Sequence, residues 1–110
     1  MNKVYEVEYI LGEEELSGYV IAENETMASD VAYFLFGEGE DKPYEQIGIY
    51  DMSMYDFFVL ERTDAHGSYE NKIFGTKEEA LHQIGVDGWE KEDLKVYSNG
   101  SILSLEEYED

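Results

Sequence analysis

Residues 3–11, KVYEVEYIL, alternate: Tyr5, Val7 and Tyr9 point one way, Glu6 and Glu8 the other. A period of two predicts a half-buried strand with an acidic outer face. GEEE at 12–15 reads as a turn and LSGYVIAE at 16–23 as a second strand, so the pair forms a hairpin. Asn24 or Thr26 is placed to cap a helix over 26–36, where Met27, Val31, Phe34 and Leu35 recur at i, i+4, i+7 and i+8 and Gly37 stops the run. Pro43 excludes helix from the loop at 37–46, and IGIY at 47–50 reads as a short strand.

The second half repeats the order of elements without repeating the residues. YDFFVLER at 55–62 reads as a mostly buried strand, TDAHGS as a turn, and YENKIF at 69–74 as the return strand. Thr76 and Glu79 form a capping box that opens a helix over 77–84 with Ala80, Leu81 and Ile84 on its apolar side. DLKVYS at 93–98 and SILSL at 101–105 flank Asn99–Gly100, a strong hairpin signal. EEYED reads as an acidic tail. The order is ββα-β-ββα-ββ. It predicts an α+β fold: one domain, 1–110, with an antiparallel sheet and two helices packed on one face. The other face would be open and acidic.

Composition sharpens this picture at one point, the charge. With 43% hydrophobic and 15% aromatic residues, the 110-residue chain has material for a core. It has 27 acidic residues against seven basic, a formal net charge of −20. A small domain needs a net charge of about 2–8 for solubility. An accessible surface of roughly 6,000 Å² would carry one net charge per ~300 Å². B-DNA, with a charge per ~1.7 Å of axis and a radius of roughly 10 Å, carries one per ~100 Å². Spread evenly, the acids are about three times too dilute to imitate DNA; gathered on one face, they match it.

Several chemistries fall away. The chain has no cysteine, which excludes disulfides, thiolate metal sites and thiol catalysis and fits a cytoplasmic setting. No apolar run suits secretion or a membrane span. His66, in the DAHG turn, and His82, in the second helix, lack the spacing of a metal site, and no nucleophile elbow, P-loop or dinucleotide fingerprint occurs. No enzymatic activity and no cofactor are therefore expected. Direct nucleic-acid binding is disfavoured too, because Arg62 is the only arginine and the six lysines are scattered.

What remains is protein binding through charge. Residues 37–56, GEGEDKPYEQIGIYDMSMYD, combine six carboxylates with one lysine and three tyrosines. Glu38, Glu40, Asp41, Glu45, Asp51 and Asp56 are the expected charge contacts, with Tyr44, Tyr50 and Tyr55 as anchors between them. Carboxylates would stand where phosphates sit, and tyrosine rings where bases stack. In size, absence of cysteine and acid-plus-tyrosine stretches such as PYEQIGIYDMSMYD, the chain resembles the small acidic DNA-mimic inhibitors of phages and mobile elements. These include anti-restriction proteins and anti-CRISPR proteins directed at Cas9-type or Cascade-type effectors. The resemblance implies a partner, a basic nucleic-acid-binding protein such as a Cas effector or restriction enzyme, and no particular fold. The rival expectation is an acidic interaction or accessory domain without mimicry.

Overall fold

The computed structural model describes residues 1–110. The fold is α+β, with seven strands in two antiparallel sheets and three α-helices. The chain divides into two units, Met1–Ser53 and Met54–Asp110. The single sheet expected from the pattern is thus two. Periodicity identifies strands but not their partners: β3 turns back onto β1 and closes the first sheet before β4 begins the second.

In the first unit, β1 (Lys3–Leu11) lies between β2 (Glu14–Ala22) and β3 (Tyr44–Asp51). Tyr5, Val7 and Tyr9 face inward as the alternation requires, and Tyr5 and Val7 join Val20, Ala22, Ala28 and Ala32 in the core. The helix α1 (Glu25–Ala32) is capped by Asn24, whose side chain accepts a hydrogen bond from the Met27 amide at 2.9 Å. A π-helical turn, Tyr33–Gly37, continues it, closed by the Glu38 amide donating to the Tyr33 carbonyl at 2.7 Å.

The helix does not bury the stripe expected of it. Ala28 and Ala32 face the sheet, and Met27, Phe34 and Leu35 are exposed; of the expected stripe only Val31 packs against the core. Alanines let the helix axis approach the sheet closely. The wider π turn then keeps Phe36 on the alanine side. Its ring stacks on Tyr9, with centroids 4.9 Å apart and planes 5° from parallel. The site across from it must be bare: a Cβ on Gly18 would lie 2.5 Å from the Phe36 ring.

In the second unit the strand order is β5-β4-β6-β7, from β4 (Phe57–Thr63), β5 (Tyr69–Phe74), β6 (Leu94–Ser98) and β7 (Ser101–Leu103). Asn99 and Gly100 both take positive φ, 48° and 81°, as the tight hairpin requires. The helix α2 (Lys77–Gln83) starts at the Thr76 cap. Phe58, Leu60, Ala80, Trp89, Leu94 and Val96 form the core. The acidic end of the chain is a third helix, α3 (Leu105–Glu109), opened by a capping box between Ser104 and Glu107. No helix is long and apolar enough to cross a membrane.

Candidate functional site

The open face of the first sheet follows from its register. Residues directly opposite one another in antiparallel strands share a face. Glu6 lies between Tyr19 and Tyr50, Glu8 between Ser17 and Gly48, and Ile10 between Glu15 and Glu45. All sit on the side away from α1. Four carboxylates and two tyrosines therefore share a three-by-three grid that contains no lysine or arginine. Glu6, Glu8, Glu15 and Ser17 of the grid, with the neighbouring Leu16, line a shallow depression of about 320 Å³.

A β-bulge makes this grouping possible. Glu45 and Tyr50 are an odd number of residues apart, so unbroken alternation would place them on opposite faces. Between Glu8 and Tyr9 the pairing jumps from Gly48 to Gln46, leaving Ile47 unpaired. The extra residue resets the phase and brings both side chains to the open face. It also sends Tyr44 inward.

Gly48 has a second role. A Cβ there would lie 2.7 Å from the Tyr50 hydroxyl and 3.1 Å from Cζ. The Tyr50 ring thus lies flat across the glycine and its hydroxyl reaches Glu8. That hydrogen bond and the Glu8 charge hold the phenol's pKa above its ordinary value of 10. Tyr50 is a neutral donor fixed within an acidic surface.

The charge density can be compared with that of DNA. Strands ~4.8 Å apart with same-face residues ~6.8 Å apart give the nine-position grid an area of ~290 Å². Four carboxylates make that one charge per ~70 Å², against ~100 Å² for B-DNA. Over the 7062 Å² of the chain, by contrast, 20 net charges are one per about 350 Å². Residues 1–53 hold 13 of the acids and only two cations, Lys3 and Lys42. Lys3 is paired with Asp51 at 3.3 Å, and the stem of Lys42 covers Gly12. Residues 54–110 hold 14 acids and five cations. Three of those cations are paired, Arg62 with Glu70, Lys72 with Asp87 and Lys77 with Glu109.

The expected contact residues separate into groups. Glu45 and Tyr50 are on the open face. Glu38, Glu40 and Asp41 are exposed in the loop before β3, which the Gly12 amide ties to the β1–β2 turn by donating to the Pro43 carbonyl at 2.9 Å. Tyr44 is enclosed by aromatic rings, 5.3 Å from Tyr9 and 5.6 Å from Tyr33, and rests on Gly37. Its position is that of a packing residue. Asp51 accepts hydrogen bonds from the Ser53 amide at 2.9 Å and from Lys3; the Ser53 bonds chiefly, then Lys3, lower its pKa. Asp56 accepts from Ser98 and Tyr108, both at 2.6 Å, which lower its pKa in that order. Tyr55 is exposed at the start of the second unit.

Glu6, Glu8, Glu15 and Tyr19 complete the open face and lie outside the acid-rich stretch at 37–56. The alternation in KVYEVEYIL shows Glu6 and Glu8 on an outer face; only the pairing register shows what stands beside them. His66 lies in a turn organised by Asp64, whose carboxylate accepts from the His66 and Ser68 amides. His82 borders an open groove of about 500 Å³ with Phe74, Glu78, Glu79 and Gln83. No three histidine or carboxylate side chains gather in an arrangement that could hold a metal ion. The chain matches no protein-family model, no curated protein and no solved structure.

Proposed function

We propose that the protein is a non-enzymatic inhibitor whose open sheet face occupies the basic nucleic-acid groove of a DNA- or RNA-processing protein. The observation that carries this reading is the grid of Glu6, Glu8, Glu15 and Glu45 around Tyr19 and Tyr50, free of cations and as dense in charge as a DNA surface. Long-range attraction would steer the face into a groove lined with lysine and arginine. Carboxylates then pair with those side chains, Tyr50 and Tyr19 fill the apolar gaps between them, and nucleic acid is shut out. Glu38, Glu40 and Asp41 extend the same charge at the loop end of the sheet. Such a protein would act in the cytoplasm of a host cell, as phage factors against CRISPR effectors or restriction enzymes do.

One observation favours the rival reading, an acidic accessory domain without mimicry: the acids are divided almost equally between the two units, 13 and 14. The two readings part in a capture experiment at low salt. Mimicry requires that a captured protein lose its hold on a DNA or RNA duplex as this chain is added, and that the affinity of this chain for that protein fall steeply as NaCl is raised. Changing Glu6, Glu8, Glu15 and Glu45 together to glutamine should weaken the inhibition more than tenfold. Gly48→Ala should weaken it less, because it dislodges only the Tyr50 ring. A captured partner that binds nucleic acid undisturbed in the presence of this chain would sink the proposal.

A further inference from the structure

On the side of the first unit opposite the acidic face, α1 and its π turn carry large apolar side chains into solvent. Phe34 is 67% exposed, Leu35 55% and Met27 44%, while the sheet-facing Ala28 and Ala32 are fully buried. The usual arrangement is inverted, with small residues inside and large ones outside. These outward side chains add nothing to the core, and contiguous exposed apolar surface of this kind marks an interaction site. Met27, Phe34 and Leu35 are the large apolar side chains that this segment leaves free to enter a groove.

The surroundings specify the groove. Between residues 23 and 41 the chain carries Glu23, Glu25, Asp30, Glu38, Glu40 and Asp41 and no lysine or arginine. Apolar side chains on a segment whose only charges are acidic are repelled by anionic membranes. They are also repelled by a second copy of this chain, which brings its own net charge of −20. They complement an apolar groove edged with cations. We infer that α1 and the π turn form a second docking surface, which inserts Met27, Phe34 and Leu35 into an aliphatic groove rimmed by lysine or arginine on a partner protein. This surface does not depend on the open sheet face, and either could exist without the other.

The test uses two synthetic antiparallel helical hairpins with the same leucine-lined groove, one rimmed by lysine and one by glutamate. Each is titrated into the ¹⁵N-labelled full chain at 0.15 M NaCl. The lysine-rimmed hairpin should shift amide signals across residues 25–38, and the glutamate-rimmed one should not. Phe34→Ser with Leu35→Ser should weaken that binding more than tenfold, the loss expected of interface anchors. Val86→Ser, an exposed apolar change in the second unit, should leave it within twofold. Equal binding of both hairpins, or of neither, overturns the inference. So do shifts confined to Glu6, Glu8 and Tyr50. A concentration-dependent dimer that the double variant abolishes overturns it in favour of a second copy. Loss of the native fold in the double variant, read from its amide spectrum, overturns it in favour of a structural role.

Discussion

Individual carboxylates in this chain divide by what they touch. Glu6, Glu8, Glu15 and Glu45 have no cation beside them on the open face, whereas Asp56 is held by two hydroxyl donors. Through Tyr108, Asp56 ties α3 to the second unit, and the same Tyr108 ring meets Phe58 edge-on at 5.6 Å. Asp56→Asn should therefore cost about 1 kcal/mol near neutral pH, the worth of charged hydrogen bonds discounted for exposure. The pH dependence has a definite sign. The folded pKa of Asp56 lies below its ordinary 3.8. Its contribution is complete above that value and is lost as pH falls through the depressed one. Urea unfolding of both proteins should show a stability gap at pH 6 that closes as the pH falls from 3.8 through the depressed value. A gap that persists in acid would assign the loss to packing instead.

The elements differ in how far the chain's pattern discloses them. The strand Lys3–Leu11 is visible in the alternation of KVYEVEYIL, and the Asn99–Gly100 hairpin in its turn chemistry, because both depend on neighbours in sequence. The inward face of α1 is not visible in this way. Met27, Val31, Phe34 and Leu35 make the strongest apolar stripe by residue type, yet the sheet takes Ala28 and Ala32, since closeness of approach outweighs side-chain size there. The π turn and the bulge at Ile47 each insert a phase shift that no fixed period can register, and the bulge alone places Glu45 on the same open face as Tyr50. α3 was hidden because five residues are too few for a periodic signal, although the Ser104–Glu107 box that opens it is written in the sequence. A pair of substitutions separates the two sides of the turn. Phe36→Ala removes the ring stacked on Tyr9 and should cost about 2–3 kcal/mol, at the low end for buried aromatics because Phe36 is only partly buried. Phe34→Ala, two residues away and exposed, should stay within about 0.5 kcal/mol. Equal losses in chemical denaturation would mean that the alanine face is not the one that packs.

A net charge of −20 on 110 residues works against folding, because the folded state crowds together carboxylates that the unfolded chain keeps apart. The four ion pairs do little to offset this: every side chain in them keeps about a third or more of its surface in solvent, and such pairs contribute about 0–1 kcal/mol each. The repulsion is largest where cations are missing, on the grid of Glu6, Glu8, Glu15 and Glu45. Neighbouring carboxylates there stand within the Debye length of about 10 Å at 0.1 M salt. Screening should therefore stabilise the protein. Raising NaCl from 20 to 300 mM is expected to lift the melting temperature by about 4–8 °C, what ~1 kcal/mol is worth in a chain of this size. The increase should shrink when those four glutamates become glutamines, and the variant should melt higher than the parent at 20 mM. This ordering ties stability to the proposed function, since a surface kept acidic at the expense of the fold is one whose charge serves a purpose outside it. A melting temperature indifferent to salt in both proteins would mean that the grid carries no concentrated repulsion, and a basic groove would then have no local field to recognise.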